Sequence, residues 1–368
     1  QHRGGKGVSG GAAREDDFIE HFFVASTHAY LLCFTNQGQV YWLKVYDIPP
    51  MSRTSSGRAI ANVLALKPEE KITSVIPVRR FDAEHHLLMA TRRGLVKKTA
   101  LEDYSRPKRG GIIGINLEDG DTLIDVVLTQ PGDEVVLSTR NGMAIRFDEA
   151  QARSMGRNTK GVRGINLQQG DEVVGMVVAD PDGYLLTVCE NGYGKRTPFG
   201  ANTAGELPAE TEGEEPVEEP AEEVAEEPAE EVAEEPAGED EAVKDRSTMR
   251  YRKQRRGGKG VRDIRTSERN GPVLGIASVR DDDDMMLITA QGMVNRTHVS
   301  EIRVVGRNTQ GVRVMNLNEG DKIASLAKIA REEGEEPAAP APEGLPETPP
   351  AAPADGTVPG PTTEAPTE

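Results

Sequence analysis

The sequence predicts an all-β, propeller-like fold with about four strands per blade, and three observations point there. A hairpin-like motif recurs along the chain, a Gly-Asp turn motif recurs between its copies, and the composition suits short strands. Of 368 residues 36% are hydrophobic and 4% aromatic, with 39 glycines and 24 prolines. Residues of those two kinds supply turns and interrupt helices.

The first motif is a run of about five apolar residues, a two-residue turn ending in Gly, and a short strand that usually carries Lys or Arg. Its copies centre on Gly38, Gly94, Gly142, Gly192 and Gly292, at intervals of 56, 48, 50 and 100 residues. The last interval contains an acidic insert, and taking out about 40 residues restores one ordinary period. Asn141-Gly142 and Asn191-Gly192 predict type I′ hairpin turns, which need positive φ at both positions. Gln37-Gly38, Arg93-Gly94 and Gln291-Gly292 occupy the same place.

The second motif reads Gly114-Ile115-Asn116-Leu117-Glu118-Asp119-Gly120-Asp121, then Gly164-Ile165-Asn166-Leu167-Gln168-Gln169-Gly170-Asp171, then Asn316-Leu317-Asn318-Glu319-Gly320-Asp321. An alternating strand such as 172–178 follows each. Hairpin and following strands together give one blade per roughly 50 residues.

Charge divides the chain. The formal net charge is −17, but 206–241 holds 18 Asp/Glu and no Lys/Arg, and 332–368 holds 9 and none. Without those 27 negative charges the other 295 residues carry +10. The Glu-Glu-Pro-Ala and Glu-Glu-Val-Ala units of the insert have too many prolines for a helix and too little apolar surface for a core, so disorder is expected over 203–245. The Pro/Ala/Glu-rich tail 332–368 reads the same way, leaving 1–331 as one interrupted β domain. Both polyanions are expected either to compete with an anionic ligand for the basic surface or to act as solubilising spacers.

Several function classes lose support. No stretch approaches the roughly 20 apolar residues of a membrane helix, and the N-terminal residues do not form a signal peptide. Cys33 and Cys189 lie inside apolar strands, which predicts buried thiols rather than a disulfide framework or zinc site. The run Asp281 to Asp284 reads as a solvated loop rather than a magnesium site, and His85-His86 has no third ligand in view. No nucleophile or acid-base pair emerges, so neither a catalytic nor a metal site is assigned.

The sharpest feature is a heptad that occurs twice, as Gln1-His2-Arg3-Gly4-Gly5-Lys6-Gly7 and as Gln254-Arg255-Arg256-Gly257-Gly258-Lys259-Gly260. Glycines around a lysine let backbone approach a phosphate, while Arg and Lys supply charge-assisted donors. It is no P-loop, because Lys6 and Lys259 are followed by Gly rather than Ser or Thr. Further cations fall into phase with the repeats: Arg53 and Arg58, Lys108 and Arg109, Arg157, Lys160 and Arg163, Arg307 and Arg313. Phased cations predict a basic belt along a rim. Wrapping duplex DNA needs such spread contacts, since bending 20 to 30 base pairs by 40 to 90° already costs about 1–6 kcal/mol. Backbone contacts of this kind predict steep salt dependence and little base readout.

The heptad resembles the box of the C-terminal domain of the DNA gyrase A subunit, in the type IIA DNA topoisomerase family. Residues 17–28, 91–99, 140–147 and 306–313 are similar to that family's blades, and the likeness covers 1 to about 202 and 246 to 331. It implies a six-bladed β-pinwheel whose blades exchange strands. A family hairpin precedes the box, so the chain is expected to begin inside a first, truncated blade. The resemblance also implies wrapping of duplex DNA in an A2B2 holoenzyme with the rest of the gyrase A subunit, and with the gyrase B subunit, in the bacterial cytoplasm beside the chromosome. The holoenzyme would use ATP and magnesium on its B subunit to supercoil DNA negatively, with no cofactor in this chain. His2 stands where the family has Arg or Lys, which removes one cation at neutral pH. The second copy matches fully but lies late in the chain, so by chain order residues 1–7 take the principal role. Met249-Arg250-Tyr251 is superficially similar to the cleavage pair of type II topoisomerases, but Arg252 follows where that family has Thr. Two other readings remain, the matching domain in the A subunit of topoisomerase IV, or a propeller that scaffolds protein partners.

Overall fold

The structure, a computed structural model, describes residues 8–9, 25–51, 58–200 and 249–329. Alternating apolar runs pair locally into five hairpins: β2 (Tyr30–Thr35) with β3 (Gln39–Lys44), β5 (His86–Thr91) with β6 (Leu95–Ala100), β9 (Glu134–Thr139) with β10 (Met143–Asp148), β13 (Tyr184–Cys189) with β14 (Tyr193–Pro198), and β17 (Asp284–Thr289) with β18 (Met293–His298). All five expected centres are hairpin turns.

Their turn type differs from the expectation. Gly142 N donates to Thr139 O at 3.0 Å, and its equivalents repeat this at Gly38, Gly94, Gly192 and Gly292. Positive φ falls on these glycines, while among described non-glycine residues it occurs only at Glu69 and Asn308. Each loop is therefore a three-residue turn closed by a left-handed glycine, not a type I′ turn. In four of the five the residue before the turn supports this shape, since the Thr139 hydroxyl accepts from Met143 N at 3.1 Å and Thr35, Thr91 and Thr289 do the same, while before Gly192 that residue is Cys189. At Gly142 a Cβ would meet Ile264 O at 2.1 Å, so no side chain fits.

Each hairpin gains a longer strand and a two-residue strand from elsewhere. The longer ones are β4 (Ile72–Val78), β8 (Leu123–Thr129), β12 (Val173–Val178), β16 (Val273–Val279) and β20 (Ile323–Ile329). The short ones are β1 (Val8–Ser9), β7 (Ile112–Ile113), β11 (Val162–Arg163), β15 (Val261–Arg262) and β19 (Val312–Arg313). The sheets run β4-β2-β3-β7, β8-β5-β6-β11, β12-β9-β10-β15, β16-β13-β14-β19 and β20-β17-β18-β1, all antiparallel. In the first four blades both added strands flank the next hairpin in sequence. Strand exchange thus links neighbours covalently as well as by packing. The sixth sheet expected from the resemblance is not among the described residues, and β1 completes the fifth sheet rather than the first.

The five longer strands converge on one cavity of about 350 Å³, which Ser74, Asp125, Gly175, Gly275 and Ser325 line at equivalent positions. Each carries a register shift at its start, between the partners of Phe34/Thr35, Ala90/Thr91 and their counterparts. Bulges of this kind bend a strand and terminate pairing. The core lies in layers between sheets: Leu32, Phe34 and Val40 of the first pack on Leu87, Met89 and Val126 of the second. A similar layer joins the second and third, the third and fourth, and the fourth and fifth. Each fully buried Leu or Val contributes roughly 1.5–3 kcal/mol. Cys33 and Cys189 are buried and free, and burial pushes both thiols up to about 12.

Candidate nucleic-acid interface

The two-residue strands place the phased cations. Val162 and Arg163 pair with Val96 and Leu95, Val261 and Arg262 with Ala144 and Met143, Val312 and Arg313 with Gly194 and Tyr193. Ile112 and Ile113 take the same register on Val40 and Gln39, and Val8 and Ser9 on Val294 and Met293. The loops before β7, β11, β15 and β19 therefore enter their sheets at equivalent outer edges. Gly260 makes that entry with φ 81°, and a Cβ there would stand 2.6 Å from Ala144 O. Gln1, His2, Arg3, Gly4, Gly5, Lys6, Gly7 and Arg53 lie outside the described residues.

Successive loops are bonded to one another. Asn116 N donates to Thr159 O at 3.0 Å, Asn166 N to Gly258 O at 2.9 Å, and Arg265 N to Thr309 O at 2.8 Å. The residues leaving one short strand thus hold the loop that enters the next, in one continuous track. Blade one departs from it: Asn62 N bonds locally to Ala59 O, and a cleft of about 300 Å³ separates Asn62 and Val63 from Lys108 and Arg109.

Exposure sorts the sequence-predicted cations. Arg58, Lys108, Arg109, Lys160, Arg163, Arg255, Lys259 and Arg313 are exposed. Lys160 lies 3.8 Å from Glu118 with both side chains open to solvent, a weak pairing. Arg313 Nη2 donates to Tyr193 Oη at 2.8 Å and its guanidinium lies over that ring at 5.2 Å. Arg269 lies over it at 5.1 Å, and the two cations hold the Tyr193 phenol below its usual range. Arg157, Gln254, Arg256 and Arg307 are half-buried. Arg256 is turned inward: its Nε donates to Gln151 O at 2.9 Å, its Nη1 donates to Arg163 O, and burial, then the charge of Arg255, lowers its pKa. Arg307 Nε donates to Arg250 O at 2.9 Å. Around the second heptad a cleft of about 370 Å³ is lined by Arg252, Lys253, Gln254, Arg255, Gly258, Lys259 and Gly260.

Sequence reasoning passes over Arg262, which is exposed at the position that Arg163 and Arg313 hold in their sheets. A signal for it exists, because Gly-Val-Arg recurs at 161–163, 260–262 and 311–313. Conversely, Lys97, Lys98, Arg146, Lys195 and Arg196, on the second hairpin strands, are buried and add nothing to the outer charge. Lys98 pairs with buried Glu149, and Arg146 Nε donates to Glu134 at 2.6 Å. Arg146 also donates to Phe199 O, Gly200 O and Tyr251 O, which gathers the described residues on either side of the acidic insert onto one guanidinium.

The Asp281 to Asp284 run is not simply a solvated loop. Asp283 and Asp284 are buried, with Asp283 accepting from Arg280 N at 2.7 Å and pairing with Lys328, and Asp284 pairing with Arg296 and His298. Among the described residues no group of three His, Cys, Asp or Glu could hold a metal ion, and no helix is long and apolar enough to cross a membrane. Tyr251 is buried with its hydroxyl on Asp263, and burial holds its pKa well above the phenolic range.

Comparison with known proteins accords with this geometry. The family model described as "DNA gyrase C-terminal domain, beta-propeller" matches 1–26, 29–79, 85–130, 133–180, 250–280 and 283–330. The chain is 39% identical to the A subunit of DNA gyrase from Salmonella typhimurium over 330 residues, covering 90% of this chain and 32% of that protein. It is also 39% identical to the A subunit of DNA gyrase from Mycobacterium tuberculosis over 339 residues, 91% of this chain and 34% of that protein. The chain thus spans about a third of these relatives' length. A solved DNA gyrase A C-terminal domain shares the fold with a TM-score of 0.65 at 22% identity, covering 90% of this chain and 92% of that one. The C-terminal domain of a DNA topoisomerase IV gives a TM-score of 0.62 at 25% identity, covering 82% and 80%. Matched over most of its length and built from strand-exchanged four-stranded sheets, the chain belongs to the DNA gyrase C-terminal domain family.

Proposed function

We propose that this domain binds duplex DNA along the track of outer loops and short strands and wraps it, as part of a gyrase A subunit. The observation that carries the reading is the repeated register. Arg163, Arg262 and Arg313 are exposed at equivalent edges, and the loops before them are hydrogen-bonded in series. Phosphates along a bent duplex would meet cations at a regular spacing, and each neutralised phosphate releases counterions that offset bending. Six stretches of the family match, 1–26 among them, support a six-bladed pinwheel. Lys97, Arg146 and Lys195 hold loop carbonyls, so their part is to shape the track rather than to touch DNA. In the holoenzyme, ATP and magnesium chemistry would belong to the B subunit, with the wrapped segment presented for negative supercoiling.

The test is binding of a duplex of about 100 base pairs across a salt series. A log-log slope of about −0.9 per contacted phosphate is expected, and the double change Arg255→Ala, Lys259→Ala is expected to flatten it by nearly 2. A flat salt response in the unaltered chain would reject DNA wrapping in favour of a protein scaffold. The likeness to topoisomerase IV favours a second reading, in which the same surface serves decatenation. Reconstituted enzyme that decatenates without supercoiling would select it.

A further inference from the structure

We propose that four buried polar side chains, Thr187, Lys195, Tyr251 and Asp263, form a positioning device that holds the second heptad in its DNA-binding shape; the proposal rests on the reading of that heptad as a DNA contact. The four make one connected cluster. Tyr251 Oη donates to Asp263 Oδ1 at 2.5 Å, Thr187 Oγ1 donates to Oδ2 at 2.7 Å, and Lys195 Nζ lies 3.0 Å from Oδ1. Tyr251 is 2% exposed and the other three are fully buried. The heptad runs from Gln254 to Gly260, so Tyr251 and Asp263 each stand three residues outside it. Their bond closes the neck of the loop.

Comparison among the blades shows that the cluster belongs to this period alone among those described. The cross-strand pair at this register is Cys33 with Tyr41, Met89 with Lys97, Leu137 with Ile145, Thr187 with Lys195, and Leu287 with Asn295. Thr187 is thus a hydroxyl where the other blades have Cys, Met or Leu. Asp263 follows its short strand where Gly114, Gly164 and Val314 follow theirs. Tyr251 lies two residues before the bridge Arg146–Lys253, where the equivalent bridges at Ser154 and Val304 are preceded by Ala152 and Ile302, whereas the period before β7 shares a buried tyrosine, Tyr104, whose hydroxyl donates to the Gly114 carbonyl at 3.3 Å. Thr187 and Asp263 are thus two departures from the repeat toward polar side chains, and the Tyr251 hydroxyl, which in Tyr104 meets only a carbonyl, here meets the Asp263 carboxylate. Burying polar groups destabilises a core unless they find each other, so their coincidence beside the complete heptad marks a local demand for geometry.

The cluster also reaches the next outer loop. Lys195 Nζ donates to Asp263 O at 2.6 Å and Gly306 O at 2.9 Å, and Asn308 N donates to Asp263 O at 2.6 Å. Both ends of the heptad and the start of the 307–313 loop are therefore referred to a single buried ion pair. Arg255 and Lys259, which are exposed, inherit their placement from it.

Tyr251→Phe keeps the ring that packs with Val136, Leu185 and Phe199 and removes only the donor, and Thr187→Val removes the other hydroxyl with little change in shape. In the 368-residue chain each is expected to weaken binding of a duplex of about 100 base pairs roughly fivefold and to flatten the salt slope. In a chain already carrying Arg255→Ala and Lys259→Ala, each is expected to add nothing, because the mispositioned cations are gone. Equal losses in both backgrounds would reduce the cluster to general stability and overturn the proposal. So would unchanged affinity in the intact background while the thermal midpoint falls. If the double alanine chain binds DNA like the unaltered one, the reading of the heptad fails first and takes the positioning role with it.

Discussion

Lys97 in the second blade and Lys195 in the fourth hold the same register position, opposite Met89 and Thr187. Each fully buried ammonium donates to two carbonyls, one just past the preceding short strand and one in the loop entering its own sheet: Gly114 and Arg157 at 2.5 and 2.6 Å, Asp263 and Gly306 at 2.6 and 2.9 Å. The residue past the short strand is Gly114 in one case and Asp263 in the other. Lys97 thus donates to carbonyls and to no carboxylate, and burial, helped by the charge of Arg157 and opposed by the more distant Asp103, pushes it down to about 7. Lys195 is also lowered by burial, but the Asp263 carboxylate opposes the shift. Two carbonyls satisfy an ammonium's hydrogen bonds without compensating its charge, whereas a carboxylate does both.

The largest expected effect breaks the compensated pair. Asp263→Asn leaves Lys195 buried without a counter-charge, and about 3 kcal/mol of stability is expected to be lost in denaturant unfolding. A loss below about 1 kcal/mol would mean that the carbonyls suffice and the two lysines are alike. The next effect concerns pH. A lysine whose folded pKa is depressed carries its full penalty below the folded value and is relieved as pH rises toward the unfolded one. Relative to Lys97→Met, the unaltered chain is therefore expected to gain stability as pH rises between about 7 and 10.5, read from unfolding curves at several pH values. Parallel stability profiles for the two proteins would show that Lys97 is not desolvated. The smallest effect carries the comparison of equivalent positions to the surface, where Ile113 is exposed at the place held by Arg163, Arg262 and Arg313. Ile113→Arg is expected to steepen the salt slope of DNA binding by about 0.9 without loss of stability. An unchanged slope would place the first blade's edge off the DNA path.

These contrasts also mark how far the sequence reaches. The hairpins at Gly38, Gly94, Gly142, Gly192 and Gly292 are legible because hairpin pairing is local and two-residue alternation is visible in a short window. The turn type is not, since the Asn-Gly pair is compatible with both a two-residue and a three-residue loop, and only the pairing register shows that Arg140 and Glu190 belong to the turn. Lys97, Lys195 and Arg146 look in sequence like Arg163 and Lys259, because a cation on a short strand has no local mark of burial. Their partners lie 12 to 111 residues away. The burial of Asp283 and Asp284 is hidden for the same reason, as Lys328 reaches Asp283 from the β20 strand. Arg262 is a different kind of omission: its Gly-Val-Arg signature is visible in the chain, and only the register makes it equivalent to Arg163.

By itself, then, the sequence determined what depends on neighbours in the chain: the repeat, the hairpins, the acidic segments, and the two Gly-Lys heptads that resemble a gyrase box. Only the tertiary structure decided which strand completes which blade, because a two-residue strand such as Val261–Arg262 has no propensity of its own and is defined by the edge it meets. It likewise decided which cations stay outside, and that a tyrosine and an aspartate on either side of a heptad close on each other around a lysine from the next blade. Burial and long-range pairing set those outcomes, and neither is a property of a local segment.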